Sequence, residues 1–423
     1  MPWGVGRIAT PHAFWLFFAI EKEHQKHIFF CIFIKNTMKK NLFVFFGGKS
    51  AEHDISIITA IQTLGVIDRK KYNIYPAYIG KNGLFYTGEK LFDLNSYVNF
   101  SPNQKGISRF VILDGEKKVA ILKGTKIKSV IAIDFALLCC HGAGGEDGSL
   151  QGLFEMSDIP YSSCGVCSSA VCMNKKVMKD IFLSHKIPIV KHFSLTRGEF
   201  EEDEESTYER AKELGYPLII KPAGSGSSIG ISKCHNPSEL EESLNLAFNF
   251  DKVVVVEKSI ENLMEINCAV LKVGSKIITS ALEEPQTKSD ILTFSDKYLS
   301  RPKKSEKRII SESDIKLKKS QKELIRALAV ESFVACDCDG VVRIDFMVDR
   351  DTQKIYVNEI NTIPGSMANY LFDKKMSFSE LVDNLVASAI TKNNEKHKNA
   401  YHYSSPAILS YLNSGTKQRT KLK

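Results

Sequence analysis

The sequence predicts an α/β first third followed by an α+β remainder, and three observations predict it. Between residues 42 and 140, short apolar runs alternate with a segment of helical spacing, a βαβ rhythm that implies a parallel sheet. After residue 253, two long apolar runs follow one another with no helix between them, which favours antiparallel pairing. The chain has 423 residues, and at about 150 residues per domain that is two or three domains.

Residues 42–46 form a short apolar strand, and Gly47-Gly48-Lys49-Ser50 the loop after it. Residues 55–67 carry apolar side chains at 57, 58, 61, 64 and 67, the spacing of one helix face. Residues 72–79 and 135–140 read as further strands. A helix is predicted at 169–185, a strand at 187–193, and a solvated loop or helix start over the acidic run 199–205. Residues 216–220 form a strand that runs into Lys221 and a Gly/Ser loop at 224–230. Asn236-Pro237 opens a helix, because Asn caps well and Pro fits the first turn. Residues 253–257 and 266–273 are the apolar runs expected to pair, and 283–312 is polar and loop-like. A helix follows at 314–333, and 341–348 with 354–360 reads as a hairpin around 349–353. Ser377 caps a closing helix to residue 390.

A hydrophobic content of 43% and a charged content of 25% exclude a disordered, collagen-like or mainly membrane chain. The net charge of +8 sits at the ends: residues 1–40 carry +4 and 391–423 carry +6, leaving −2 over 41–390. The body is therefore no basic nucleic-acid platform. The basic tail reads as solvated, with contact to RNA or lipid as the alternative. The apolar runs 14–20 and 28–34 each fall short of the roughly 18–20 residues that cross a bilayer. Their flanks fit neither a signal nor a transit peptide. Residues 1–37 read as a disordered extension or a start assigned too early, with Met38 the working start. An interfacial anchor is the alternative. The ten cysteines include Cys139-Cys140, Cys164-x-x-Cys167, Cys172 and Cys336-x-Cys338, but no second CxxC or HxxxH lies at zinc spacing. Most sit in apolar runs, so a buried, reduced, cytoplasmic set is expected rather than a metal or disulfide site.

The hairpin near the end carries the most chemistry. Strand side chains alternate faces, so Arg343 shares a face with Asp345, and Glu359 with Asn361. Charged groups amid such apolar strands are costly unless paired or metal-bound. Two carboxylates and an amide oxygen make a hard set suited to Mg²⁺. The alternative is an Arg–Asp salt bridge with Glu359 at a strand end. The run Lys221-Pro222-Ala223-Gly224-Ser225-Gly226-Ser227-Ser228-Ile229-Gly230 offers backbone N–H groups and hydroxyls to phosphate oxygens. It matches neither the Walker A loop nor the dinucleotide fingerprint, and alone it reads equally as a surface turn. His141-Gly142-Ala143-Gly144-Gly145-Glu146-Asp147-Gly148 follows a buried strand, the position of a binding crevice in an open parallel sheet. His141 reads equally as a hydrogen-bonded turn residue.

Taken together these motifs resemble the D-alanine:D-alanine ligases of the ATP-grasp superfamily, from about residue 41 to 390. The residues that carry the resemblance are Gly47-Gly48-Lys49-Ser50-Ala51-Glu52-His53, the His141 loop through Gln151-Gly152, and Lys221-Pro222 with Gly226–Gly230. Arg343-Ile344-Asp345, Asn358-Glu359-Ile360-Asn361-Thr362 and Pro364-Gly365 complete the series. The order and spacing, more than any one motif, make the resemblance specific. It implies a Rossmann-like N-terminal domain at 38–160, a central ATP-grasp subdomain with a Gly/Ser lid at 161–255, and a C-terminal ATP-grasp subdomain at 256–390. A basic tail follows at 391–423. It implies ATP-driven joining of two D-alanines through an acyl phosphate, for peptidoglycan precursors, by a cytoplasmic homodimer without nucleic acid or stable membrane insertion. The alternatives are another acceptor such as D-serine, or a catalytically silent nucleotide-binding paralogue.

Residue by residue, the resemblance assigns Lys175, Lys221, Ser228, Glu257, Lys258, Ile260, Glu265 and Lys297 to ATP. It assigns Asp345, Glu359 and Asn361 to two Mg²⁺ or Mn²⁺ ions. Glu52 would hold the first amino group, and His141 would lie by the first carboxylate. Arg343 and the amide of Gly365 would stabilise the oxyanion. Glu52, Ser227 and Tyr298 would form a hydrogen-bonded trio closing a loop around 283–300. Ser366, Tyr370 and Leu371 would border the second substrate. Three departures stand out: Asn174 where an Asp usually precedes the phosphate lysine, an altered loop at 291–298, and Tyr370 where many relatives carry Ser.

Overall fold

The structure, a computed structural model, describes residues 39–113, 115–285, 309–398 and 406–413. The expectations for residues 1–37, for Lys297 and for Tyr298 lie outside these.

The first unit comprises β1 (Lys40–Gly47), α1 (His53–Val66), β2 (Tyr72–Ile79), β3 (Phe85–Thr87), β4 (Ser108–Leu113), β5 (Lys118–Lys123), β6 (Lys126–Ala132) and β7 (Phe135–Leu138). Its sheet has the order β6-β5-β4-β3-β2-β1-β7. β1 lies parallel to β2 and β7, with α1 as the crossover. The other joins are antiparallel, so the expected parallel sheet is confined to three strands. The difference follows from burial. Residues 42–46 of β1 are fully buried, which needs both faces covered. β6 is an exposed edge guarded by Lys126 and Lys128.

Three helices lead to the second unit: α2 (Ser149–Met156), α3 (Val166–Met173) and α4 (Lys175–Ser184). The single helix expected at 169–185 is thus two. Asn174 leaves helical geometry (φ −96°, ψ 100°), and its Oδ1 accepts the Val177 N–H at 3.1 Å. A short polar side chain competes in this way with helix continuation.

The second unit contains β8 (His192–Thr196), α5 (Arg197–Glu202), α6 (Glu204–Leu214), β9 (Leu218–Pro222), β10 (Ser232–Cys234), α7 (Leu240–Phe248) and β11 (Val253–Lys258). Its antiparallel sheet runs β10-β9-β11-β8. The strand expected at 187–193 begins only at His192, since Pro188 has no N–H for a ladder. Asn236 caps a short turn ahead of α7 as expected, accepting the Ser238 N–H at 3.0 Å.

The third unit contains β12 (Leu263–Val273), β13 (Lys276–Pro285), β14 (Ile309–Ser311), α8 (Lys319–Ala335), β15 (Val341–Asp349), β16 (Ile355–Asn361), α9 (Phe378–Lys396) and the short α10 (Ala407–Asn413). Its antiparallel sheet runs β14-β13-β12-β15-β16. The pairing expected between the runs 253–257 and 266–273 does not form. β11 lies between β9 and β8, and β12 between β13 and β15. Each run is a buried interior strand whose two edges are taken elsewhere. The second sheet therefore continues past residue 255 to Lys258. The helix expected from 314 starts at Lys319. α9 carries a Ser377–Glu380 capping box and extends beyond 390. Its Lys392 pairs with Asp339 at 2.9 Å and Lys396 pairs with Glu155, so the first residues of the expected tail are folded.

Two units share a core and one does not. Leu42, Val44 and Phe46 of β1 pack in one cluster with Ala269 and Leu271 of β12 and Leu381 and Leu385 of α9. Met178 and Phe182 of α4 pack with β12, α8 and β15. The second unit keeps its own cluster, drawn wholly from residues between Leu195 and Val256. The nine described cysteines are free thiols, buried except Cys167. Among the described residues no helix is long and apolar enough to cross a membrane.

Candidate active site

The β15–β16 hairpin forms as the spacing predicts, and its register sharpens the site. Asp345 lies opposite Glu359 and Arg343 opposite Asn361, with a bulge that sets Asn358 apart. The Arg–Asp bridge weighed from spacing is present: Arg343 Nε and Nη2 donate to the two Asp345 oxygens at 2.7 and 2.8 Å. Asn361 Nδ2 also donates to Asp345, at 3.0 Å. Glu359 Oε2 lies 3.6 Å from Lys175 Nζ. No group of three or more His, Cys, Asp or Glu able to hold a metal occurs among the described residues. The hairpin instead offers two carboxylates and an amide oxygen, hard donors that would need phosphate oxygens or water to complete a shell.

Beside the hairpin lies a buried charge cluster. Glu257 on β11 receives Lys221 Nζ on one oxygen and Lys179 Nζ on the other, each at 2.8 Å. Lys179 is 1% exposed and Glu257 2%, so both charges depend on this pairing. Burial acts against the Glu257 charge, yet the two ammonium groups hold its carboxyl well below the usual range. Burial likewise opposes the Lys221 charge, but Glu257, Glu359 and Glu265 together raise it. Lys221 also donates to Asn358 Oδ1 at 3.2 Å. Lys175, Lys221, Glu257, Glu265 and Glu359 thus meet at one place. Lys258 is turned away from this cluster. Lys258, on the other strand face, donates to the carbonyls of Gly215 and Tyr216 at 2.9 Å. Lys179 had not been singled out from sequence. Its spacing of four from Lys175 places both on one helix face, and that was the available signal.

The Gly/Ser loop after β9 closes over this cluster. The Lys175 backbone N–H donates to the Ala223 carbonyl at 2.8 Å, and its Nζ donates to Ser225 O at 2.7 Å. Ser227 and Ser228 both hold φ above +50°, a conformation rare for non-glycine residues. The Ser227 hydroxyl donates to Glu52 Oε1, which joins the second unit to the first. Gly230 is required where it stands: at φ +73°, a Cβ would lie 2.5 Å from Phe250.

Glu52 and His141 lie together at the end of the parallel strands. Ser50 Oγ donates to the His141 carbonyl at 2.7 Å and accepts the Glu52 N–H at 3.2 Å. His141 Nε2 lies 2.9 Å from Thr59 Oγ1. Burial pulls the His141 imidazole down to about 4, which keeps it neutral near pH 7. Its ring is therefore a hydrogen-bonding group and not a cation.

The loop after β16 carries the remaining residues. Gly365 faces open space, with no atom within 4 Å of where a Cβ would stand. Ser366, Met367 and Ala368 then make a left-handed turn, with φ of 52°, 52° and 49°. Such backbone costs roughly 1–2 kcal/mol per residue. Burial of Met367 and Ala368 in the shared core offsets it. The Ser366 N–H donates to Thr59 Oγ1 at 3.2 Å, and its hydroxyl to Gln62 Oε1 at 2.5 Å. Tyr370 Oη donates to Glu283 Oε1 at 2.8 Å, an oxygen that also accepts from Asn267. The Leu371 side chain lies in the core, so only its backbone is left for a ligand. Thr59, Gln62 and Glu283 had not been singled out. They come from a helix face and a strand whose meeting with residues 366–370 no local pattern reveals.

Residues 41–164 match the model of the D-ala D-ala ligase N-terminus, and 181–387 that of the D-ala D-ala ligase C-terminus. The chain is 42% identical to the D-alanine–D-alanine ligase of Thermosipho melanesiensis, over 84% of this chain and 95% of that protein. Its fold is similar to the VanG D-Ala:D-Ser ligase from Enterococcus faecalis (TM-score 0.70, 29% identity, covering 83% of this chain and 100% of that one). It is similar also to the D-alanine-D-alanine ligase from Coxiella burnetii (TM-score 0.73, 26% identity, covering 89% and 99%). With both halves of the body matched and the ATP-grasp architecture in place, the chain belongs to the D-alanine–D-alanine ligase family.

Proposed function

We propose that this protein joins two D-alanines into D-alanyl-D-alanine with cleavage of ATP to ADP and phosphate, supplying peptidoglycan precursors in the cytoplasm as a homodimer. The observation that carries the reading is convergence. Glu52, linked to the lid by Ser227, and His141, which lies in the field of Arg343, meet the charge cluster of Lys175, Lys221, Glu257 and Glu359. The working parts are a Rossmann-like unit at 38–160, a lid unit drawn from 161–255 in which β8 to β11 form the lid itself, and a unit at 256–390 bearing the hairpin, against which α3 and α4 pack.

ATP would lie between the last two parts. Glu257 with Lys258 and Ile260 would meet adenine, Glu265 the ribose, and Lys175, Lys221, Ser228 and Lys297 the phosphates. The first D-alanine is held by Glu52 at its ammonium and by the neutral His141 ring at its carboxylate. A carboxylate oxygen attacks the γ-phosphorus, and the bond to ADP breaks. The lysines offset charge on the moving phosphoryl group. Two divalent cations held by Asp345, Glu359 and Asn361 would, when bound, neutralise phosphate charge there. The free amine of the second D-alanine attacks the acyl carbon, phosphate leaves with its oxygen, and the amine proton is lost. Arg343 has donors beyond the two given to Asp345, and these with the Gly365 N–H stabilise the oxyanion. Ser366, Tyr370 and the Leu371 backbone border the second carboxylate. Ser227, Glu52 and Tyr298 keep water from the acyl phosphate.

The test is phosphate release from Mg-ATP with D-alanine alone, then with a panel of D-amino and D-hydroxy acids, with products identified by mass. Dipeptide from D-alanine alone is the expected result. Turnover only with another acceptor reassigns the second substrate. ATP binding without turnover on any acceptor overturns the reading.

A further inference from the structure

We infer that Glu146 is a positioning residue for the ligation step, its side-chain carboxyl holding the Pro364–Gly365 turn of the third unit against the glycine loop of the first. The inference rests on the function proposed above. Glu146 Oε2 accepts the N–H of Gly142 at 2.8 Å, and Oε1 accepts the N–H of Ile363 at 3.0 Å. Each oxygen therefore serves a different unit. On one side of this clamp, Gly142 presses against Glu52, since a Cβ there would stand 2.8 Å from Glu52 Oε2. On the other side, Gly365 follows Ile363 by two residues and faces open space. A second route joins the same loops through neutral groups, from the His141 ring through Thr59 Oγ1 to the Ser366 N–H. Glu146 is the carboxyl member, and it touches both loops directly. The ionisable groups facing it are Glu52, Arg343 and the Cys140 thiol. Burial and then Glu52 push its carboxyl up to about 8, outweighing the two N–H donors and Arg343.

The chemistry separates what the clamp does from what a merely structural contact does. Attack at phosphorus makes no oxyanion on carbon, whereas attack by the amine does. An amide stabilises that oxyanion only when held within about 2.7–3.1 Å of it. Loosening the Ile363–Gly365 turn should therefore slow ligation and spare phosphorylation. The waiting acyl phosphate is then cleaved by water to D-alanine and phosphate, so phosphate appears without dipeptide.

Glu146→Gln tests this. Its single amide oxygen can accept one of the two N–H groups, and its NH₂ opposes the other. Phosphate and dipeptide are counted in the same reaction. The ratio does not depend on how much of the variant is folded, and Glu146→Asp, which shortens the side chain but keeps a carboxyl, is measured beside it. The expected result for Glu146→Gln is a ratio of phosphate to dipeptide that rises from one to about three or more, with KM for ATP within about twofold of wild type. A ratio that stays at one in both variants, even with both rates reduced, overturns the inference. A wild-type chain that makes no dipeptide overturns the proposed function itself, and this inference with it.

Discussion

The second unit and the body formed by the first and third are built on opposite terms. The body shares one apolar core, in which β1, β12 and α9 pack together. The second unit closes its own core between Leu195 and Val256 and meets the body through polar contacts. Those contacts include Lys175 to Ala223 and Ser225, Lys221 to Asn358, Ser227 to Glu52 and the buried Lys179–Glu257 pair. A shared core cannot be separated without exposing apolar surface, at about 25 cal/mol per Å². Hydrogen bonds exchanged with water contribute only about 1 kcal/mol each. The lesson is a division of labour. The groups proposed to hold the reacting carbon sit in the fused body, and the loop proposed to cover the phosphates sits on the unit that detaches at least cost.

Four changes break or sharpen this contrast. The largest effect is expected within the body. Glu359→Ala removes a hairpin carboxylate, and ATP turnover should fall about 10⁴-fold, or about 5 kcal/mol of barrier, with little change in stability. Near-wild-type phosphate release at any Mg²⁺ concentration would contradict that assignment.

Lys179→Met strikes the joint between units. It leaves Glu257 buried with one cation in place of two. Losing one partner of a buried pair costs about 3–5 kcal/mol. Urea unfolding should show the second unit melting ahead of the body. A single unshifted transition would mean that this joint contributes nothing.

His141 tests the body by pH. Its pKa falls from 6.5 in the unfolded chain to about 4 in the folded protein. The unfolded chain thus binds the proton first as pH drops. Stability should decline from pH about 6.5 towards pH about 4, by at most about 3 kcal/mol from this group. His141→Asn should flatten that slope relative to wild type, as chemical denaturation at several pH values would reveal. Parallel curves would rule out this group as the source.

The smallest effect is expected at Ser227→Ala, which removes the bond from the lid loop to Glu52. A loss of about 1 kcal/mol, or about fivefold in kcat/KM, should come with faster protease cutting at residues 224–230. Unchanged cutting would show that the bond does not hold the loop.

Much of the hairpin was legible because side chains on a strand alternate with period two, so Arg343, Asp345, Glu359 and Asn361 follow from counting. The caps at Asn236 and Ser377 were legible because capping is local. The break at Asn174 obeys the same local capping rule, but the apolar spacing on both sides also suits one continuous helix. The fate of the runs 253–257 and 266–273 was not legible. Each has two edges to pair, and proximity in sequence does not choose between them.

The sequence by itself determined the β15–β16 hairpin, the caps and the glycine loops, because each depends on spacing within a few residues, and the family resemblance through the order of those motifs along the chain. Only the tertiary structure decided that Lys179, Lys221 and Glu257 neutralise one another, and that Glu146 bridges two units. The physical reason is that desolvation belongs to the assembled molecule. A lysine becomes obliged to find a particular carboxylate only after three sheets have removed water from around both.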